Sequence, residues 1–226
     1  MAENNRLHAV YGGTFDPIHY GHLQSVESLA ALTDLQKVTL LPNNVPPHRP
    51  QPEASPEQRV AMIKLAIAGH ALFDIDLREM RRSTPSFTFD TLAELRSERG
   101  PVQPLAFIIG QDSLLTLHTW HRWRDLLSLC HLLVCQRPGY TREMMTPEQR
   151  QWLYQHVTDR PDALHQQPAG KILLAATPRV AISATEIRER LHHGRSSDSL
   201  LPPQVREYIA REGLYRNAIP HAILRR

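Results

Sequence analysis

Eleven residues near the N-terminus, Gly12 to His22 (GGTFDPIHYGH), combine the turn residues and side chains of a phosphate site. The apolar run Leu7 to Tyr11 predicts a strand, and the two glycines after it allow a tight turn. His19 and His22 lie three residues apart where the pattern becomes helical, so both imidazoles fall on one helix face. A helix N-terminus offers free N–H groups and the positive end of a dipole, and both attract phosphate. The stretch therefore predicts a strand–turn–helix unit that binds phosphate and stabilises charge developing on it.

Strand and helix patterns alternate along the rest of the chain. Short apolar or β-branched runs predict strands at Lys37–Leu41, Leu72–Ile75, Leu105–Ile109, Leu132–Cys135, Ile172–Ala175 and Val180–Ile182. Capping patterns at Ser55, Thr146 and Ser183 predict helix starts. Thr88 or Asp90 is expected to cap another helix, and Asp112 the one after Gly110. The alternation predicts an α/β fold: a Rossmann-like, doubly wound parallel sheet with helices on both faces. We expect a single domain over residues 1–226, with a loop over 158–170 and a mobile tail over 216–226.

The composition is typical of a globular protein that binds an anionic small molecule. Of the 226 residues, 41% are hydrophobic and 22% are charged, and the net charge is +3. The basic residues form no single block, which argues against nucleic acid as a partner. Because the sequence has neither an apolar run of about 18 residues nor a basic-then-apolar leader, we expect no membrane span and a cytoplasmic location.

Both cysteines and most of the histidines are expected to have no chemical role. Cys130 and Cys135 do not form a C-x-x-C pair, and both are predicted to be buried or half-buried thiols. The scattered histidines are expected to face solvent: His70, His118, His156, His165, His192, His193 and His221.

The turns that follow the strands are expected to share one edge of the sheet, where open α/β sheets bind ligands. That edge would gather His19, His22, His48, Arg49, Asp112, Trp120, Arg137, Ser183 and Arg188. The sequence shows no legible Ser-His-Asp or Cys-His set, no Walker loop, no G-x-G-x-x-G and no H-E-x-x-H spacing. A cationic and aromatic lining without a nucleophile fits phosphoryl or nucleotidyl transfer, which depends on positioning and on charge. For His19 and His22 alone, a pair that only satisfies the helix end is the alternative interpretation.

Several motifs carry a family resemblance. GGTFDPIHYGH resembles the H-x-G-H signature of the nucleotidyltransferase α/β-phosphodiesterase superfamily, and ISATEIR resembles its C-terminal signature. With NNVPPHRP, TPSFTFDTL, GQDSLLTLHTW and VCQRPGY, the chain resembles the bacterial nicotinate-nucleotide adenylyltransferase family over about residues 7–215. The resemblance implies that ATP and nicotinate mononucleotide are the partners and that they give deamido-NAD and pyrophosphate in NAD biosynthesis. It implies direct in-line attack on the α-phosphate with Mg²⁺ present. We expect this ion to be carried mainly by the ATP phosphates and water, and no side chain is assigned as a metal ligand. Nucleic acid and membrane are then not partners, and the chain is expected to act as a monomer or homodimer.

The resemblance also assigns residues by their position in these motifs. His19, His22 and Arg188 are the implied catalytic residues, the two histidines as donors to the α-phosphate and Arg188 as a partner of the β- and γ-phosphates. The implied ATP-binding residues are Gly12, Gly13, Thr14, Phe15, His48, Gly110, Asp112, Ser183 and Thr185. The implied nicotinate mononucleotide-binding residues are Asn43, Phe87, Thr88, Trp120, His121 and Arg137.

Two positions depart from the family pattern, and other functions stay open. Phe87 stands where the family often has tyrosine, and His121 where it often has an aromatic residue. A related enzyme could use nicotinamide mononucleotide or phosphopantetheine as acceptor instead. A nucleotide-binding regulator without catalysis is the alternative from another class.

Overall fold

Seven parallel strands form one sheet in the order β3-β2-β1-β4-β5-β7-β6 in the computed structural model, which describes residues 6–45, 49–136, 145–178 and 180–216. The strands are β1 His8–Gly13, β2 Lys37–Pro42, β3 Phe73–Ile75, β4 Leu105–Gly110, β5 His131–Cys135, β6 Val157–Thr158 and β7 Ile172–Ala175. The helices are α1 Tyr20–Thr33, α2 Pro56–Ile67, α3 Thr88–Arg99, α4 Gln111–Thr116, α5 Pro147–His156, α6 Ala163–Gln166, α7 Ala184–His192 and α8 Pro203–Glu212. The predicted doubly wound parallel α/β fold is confirmed.

The two faces of the sheet build two hydrophobic clusters because successive strand side chains point in opposite directions. Ala9 of β1 belongs to the cluster that includes buried residues of α1, α2, α7 and α8. Val10, the next residue, belongs to the cluster that includes buried residues of α3, α4 and α5. The strands read as continuous apolar runs for this reason, since both of their faces are covered.

Most of the predicted elements are present. Ser55 and Thr146 form full capping boxes with Gln58 and Gln149, and the Ser183 side chain accepts the N–H of Glu186. Cys130 is buried and Cys135 half-buried, and both are free thiols as predicted. None of the described helices has the length and apolar character needed to cross a membrane.

Several local predictions are wrong. Val180–Ile182 is not a strand, because the Ile182 N–H donates to the Val180 carbonyl at 2.9 Å and closes a three-residue turn. The expected loop over 158–170 contains the short helix α6. Neither Thr88 nor Asp90 caps α3, and Asp112 does not cap α4, because these helices begin after Phe87 and Gly110 without a side-chain cap.

His165 does not simply face solvent, as the sequence had suggested. Its Nδ1 accepts the Leu7 N–H at 3.2 Å, and its Nε2 contacts the Thr33 carbonyl at 2.6 Å. The ring therefore ties the entry of β1 to the end of α1. Residues 217–226 lie outside the described residues, so the mobile tail stays a prediction, as does the single domain.

The sheet divides at its centre, between β1 and β4. β1 pairs with β2 from His8 to Gly13, but it pairs with β4 only from His8 to Tyr11. The chain passes outward from β1 through β2 and β3, and returns to the other side of β1 as β4. This reversal of strand order is the point at which doubly wound sheets open a crevice for a ligand.

Candidate active site

A cleft of about 1100 Å³ opens at the carboxyl edge of the sheet where β1 and β4 part. Its walls come from the segments after β1, β2 and β4 and from the starts of α3 and α7. Many residues assigned from the sequence lie on it: Gly12, Gly13, Thr14, Phe15, His22, Asn43, Phe87, Thr88, Gly110, Trp120 and Arg188. Arg49, between β2 and α2, lies on it as well.

The remaining assigned residues lie beside or behind this cleft, or outside the described residues. His19 is buried behind the wall, with 4% of its surface exposed. Ser183, Thr185, Asp112 and His121 are exposed and are not among the described residues that line the cleft. His48 and Arg137 lie outside the described residues.

The two histidines of H-x-G-H form a stacked pair at the start of α1. Their ring centroids are 3.7 Å apart with 26° between the planes. The backbone N–H of His19 donates to Nδ1 of His22 at 3.1 Å, so the proton of the neutral His22 ring is on Nε2. Burial lowers the pKa of His19 to about 4. Burial, together with the charge that His19 would carry, lowers the pKa of His22 well below its ordinary value. Both imidazoles are therefore neutral at neutral pH.

Two glycines make room for these rings. A Cβ on Gly21 would lie 2.7 Å from the His19 ring and 3.0 Å from the Ile182 carbonyl oxygen, which is closer than real Cβ contacts allow. A Cβ on Gly13 would lie 3.1 Å from the Phe15 ring. That ring in turn meets His22 edge-on at 5.0 Å. The glycines of the opening motif thus let the aromatic rings support the cleft wall.

Arg188 of α7 lies on the cleft and contacts the loop that follows β1. Its Nη1 donates to the Asp16 carbonyl at 2.8 Å and lies 4.0 Å from the Asp16 carboxylate. Its Nε lies 4.0 Å from a carboxylate oxygen of Glu53, and its Nη2 donates to Thr185 Oγ1 at 3.3 Å. The guanidinium is thereby held beside the loop that follows β1, where it supplies positive charge.

One end of the cleft is aromatic, with a largely half-buried polar network beside it. Trp120 is half-buried and meets Phe107 edge-on at 6.4 Å. Phe87 is 50% exposed and lies against His121, with 4.7 Å between ring centroids. This end offers flat apolar surfaces suited to a planar ring.

The polar network consists of Arg82, Thr91, Ser86 and Glu79. Arg82 Nη1 donates to Thr91 Oγ1 at 2.7 Å and to Ser86 Oγ at 2.9 Å. Thr91 Oγ1 donates to Glu79 at 3.1 Å, and burial raises the pKa of that carboxyl. These contacts fix the segment that leads into α3.

Comparison with known proteins identifies the family of this chain. Residues 10–190 match the cytidylyltransferase-like family model. A Yersinia pestis protein described as a "probable nicotinate-nucleotide adenylyltransferase" is 60% identical over 215 residues, or 95% of this chain and 98% of the relative. A Serratia proteamaculans protein of the same description is 62% identical over 210 residues, or 93% of this chain and 96% of the relative.

The chain belongs to the nicotinate-nucleotide adenylyltransferase family. The reaction of this family joins AMP from ATP to nicotinate mononucleotide in NAD biosynthesis, so the activity predicted from the sequence is confirmed.

Solved structures bear out the fold of this adenylyltransferase. The Plasmodium falciparum nicotinic acid mononucleotide adenylyltransferase, solved in complex with NaAD, superposes with a TM-score of 0.68 at 18% identity. The match covers 93% of this chain and 97% of that one. At this identity the likeness establishes the shared sheet architecture.

Sequence reasoning gave no role to Asp16, Glu53 or Arg59. Asp16 and Glu53 line the cleft, and Asp16 is nearly buried. Arg59 is fully buried on α2, and its Nη1 donates to the carbonyls of Thr14 at 2.8 Å and Asn43 at 3.0 Å. One signal was legible: Arg59 occupies the same buried helix face as Met62 and Ile63. An arginine on an apolar face needs polar partners, and here those partners are the loops of the cleft.

Proposed function

We propose that the cleft performs adenylyl transfer by direct attack of the nicotinate mononucleotide phosphate on the α-phosphorus of ATP. A new P–O bond forms to the acceptor as the P–O bond to the leaving pyrophosphate breaks, and deamido-NAD results. The observation that carries this assignment is the neutral, stacked histidine pair at a helix N-terminus, with His22 lining the same cleft as Arg188.

We assign the donor role at the α-phosphate to His22 and an orienting role to His19. His22 lies on the cleft wall, and its Nδ1 is occupied by the His19 N–H, so Nε2–H is the available donor. Charge spreads over the equatorial oxygens of the α-phosphate as the adenylyl group passes from the pyrophosphate oxygen to the acceptor oxygen. A donor aimed there, together with the positive end of the α1 dipole, stabilises that charge. The resemblance gave both histidines the donor role. We favour His22 because it lines the cleft, whereas His19 is buried behind it.

The part of the cleft formed by α7 is assigned to the leaving pyrophosphate. Arg188 and the start of α7 carry positive charge and helix N–H groups, and Ser183 and Thr185 flank them. The backbone from Gly12 to Phe15 lies next to the same phosphates in this arrangement. Gly110 and Asp112, at the start of α4, are proposed to hold the adenosine.

The aromatic end is assigned to the acceptor. Trp120 and Phe87, with His121 beside Phe87, provide surfaces on which a pyridine ring can stack. α3 begins at Thr88 without a side-chain cap, which leaves its first N–H groups for the nicotinate carboxylate. Asn43 lies on the same cleft. His48 and Arg137 keep the roles that the resemblance implies for them as predictions.

Mg²⁺ is proposed to enter with the ATP phosphates. The described residues contain no group of three His, Cys, Asp or Glu side chains placed to hold a metal ion. We therefore propose that phosphate oxygens and water supply most of the ligands of the ion, as they commonly do for Mg²⁺. When bound there, the ion neutralises part of the charge on the phosphates. A cytoplasmic location and a monomeric or dimeric state stay predictions.

Acceptor-dependent release of pyrophosphate from ATP tests the proposal. The purified protein is given MgATP with nicotinate mononucleotide, nicotinamide mononucleotide or phosphopantetheine in parallel. We expect release with nicotinate mononucleotide and a product with the mass of deamido-NAD. Release with another acceptor alone would contradict the assignment of the aromatic end, and ATP binding without release would favour a regulator.

A further inference from the structure

The segment after α8 is connected to the candidate active site through Tyr215. Gly213 and Tyr215 both have left-handed backbone angles, with φ of 64° and 57°. This turn directs Tyr215 back into the protein, where its side chain is 4% exposed and packs within the core on the α1, α2 and α8 face. The ring thus has a packing role, and the hydroxyl group has a separate one.

The hydroxyl donates to the carboxylate of Asp16, in the loop after β1. The same carboxylate accepts the N–H groups of Glu53 at 2.9 Å and Ala54 at 3.1 Å. Burial and the contact with Asp16 raise the pKa of Tyr215, so the hydroxyl stays protonated and remains a donor. Asp16 therefore joins three segments: the loop after β1, the segment before α2 and the segment after α8.

Asp16 also connects this cluster to Arg188. The guanidinium of Arg188 donates to the Asp16 carbonyl at 2.8 Å, and it lies 4.0 Å from carboxylate oxygens of both Asp16 and Glu53. Asp16, Glu53 and Arg188 all line the cleft, whereas Tyr215 is not among the described residues that do. The hydrogen bond between Tyr215 and Asp16 thus joins residues 199 positions apart and adjoins the contacts of Asp16 with Glu53 and Arg188.

We propose that Tyr215 is a positioning residue for adenylyl transfer, acting through Asp16 on the phosphate loop and on Arg188. The proposal rests on the proposed function, because it assigns Arg188 and that loop to the ATP phosphates. Without the hydroxyl, the Asp16 carboxylate keeps only two backbone donors and is free to turn toward Arg188. The guanidinium would then be drawn from the phosphates.

Tyr215→Phe removes the hydroxyl and keeps the ring. At a temperature where the variant is folded by circular dichroism, we expect kcat to fall about tenfold, the low end of the effect of a hydrogen bond to a charged group. We expect the affinity for a non-hydrolysable ATP analogue with Mg²⁺, measured by calorimetry, to fall at least about threefold by the same loss. Tyr208→Phe is the matched control, since Tyr208 lies on α8 and contacts Arg211 rather than the cleft. It should change neither quantity.

A double-mutant cycle tests whether the effect passes through Asp16. In the Asp16→Ala background, which has no side-chain acceptor for the hydroxyl, Tyr215→Phe should cause little further loss, because the interaction is already removed. Additive losses would overturn the proposal, as would a Tyr215→Phe enzyme that is less heat-stable but keeps kcat and analogue affinity within about twofold of the parent. Binding of the ATP analogue needs no acceptor, so this affinity can be measured even if the wild-type enzyme does not use nicotinate mononucleotide. Failure to use nicotinate mononucleotide would contradict the proposed acceptor and leave the role of Tyr215 to be decided by the analogue affinity.

Discussion

In the proposed adenylyl transfer, neutral imidazoles at a helix N-terminus would favour the transition state over bound ATP. A protonated histidine there would be opposed by the helix dipole and would attract phosphate equally before and during transfer. Burial holds the pKa of His19 at about 4 and lowers that of His22 as well. In the role that we propose for it, the Nε2–H of His22 responds to charge that develops on the α-phosphate and adds little to ground-state binding.

His22→Ala is accordingly expected to lower kcat by ~10²–10³, the scale for one transition-state donor. Affinity for the ATP analogue should stay within a few fold. Initial rates and calorimetry measure the two quantities, and His118→Ala, an exposed histidine outside the cleft, is the control. Equal losses in turnover and binding would show that His22 holds ATP in the ground state.

The site residues that could be predicted from the sequence differ from those that could not in how far along the chain their contact partners lie. His19 and His22 contact each other within one helical turn, so their spacing was informative. Asp16 and Arg59 are defined by partners 38 and 45 residues away. No local pattern encodes such contacts, because they arise only when the sheet assembles. An arginine on the buried face of α2 was the one legible trace of them.

At the level of elements, the sequence failed mainly where the cleft is built. Helices α2 and α5 have side-chain caps, as predicted from their Ser and Thr residues. The starts of α3 and α4 were predicted to be capped, yet they follow Phe87 and Gly110 without a side-chain cap. Both positions line the cleft. A ligand can satisfy helix N–H groups there, so local capping rules give way at a functional site.

The contact between α1 and the segment before α7 depends on Gly21. Alanine usually stabilises a helix by up to about 1 kcal/mol relative to glycine, but here its Cβ would meet the His19 ring and the Ile182 carbonyl. We expect Gly21→Ala to lower the free energy of unfolding by about 1–3 kcal/mol and to reduce turnover. Urea denaturation and initial rates test this.

A second substitution isolates the steric cause. The smaller side chain in the double variant with His19→Asn should recover part of the stability but not the turnover. A Gly21→Ala protein as stable as the parent would show that the ring and carbonyl move aside at no cost.

Across the whole molecule, two arginines clamp loops at opposite edges of the sheet. Arg96 donates to the carbonyls of Leu129, Gly100, Gln103 and Pro168 at the edge where β4, β5 and β7 begin. At the other edge, Arg59 ties the loop after β1 to the loop after β2. Both arginines donate to backbone carbonyls. Because ligands bind at the carboxyl ends of the strands in such sheets, only the Arg59 contacts lie next to the cleft.

Substitution of each arginine by methionine separates stability from function. Arg59→Met deprives two carbonyls of their donor and should lower the free energy of unfolding by about 2–4 kcal/mol. Because these carbonyls belong to cleft loops, we expect the KM for ATP to rise about tenfold, as small displacements of positioning groups do. Arg96→Met should lose similar or greater stability while its KM for ATP stays within about twofold of the parent. Urea denaturation and initial rates measure both variants. An unchanged KM in Arg59→Met would reduce the carboxyl-edge clamp to the purely structural role that Arg96 has.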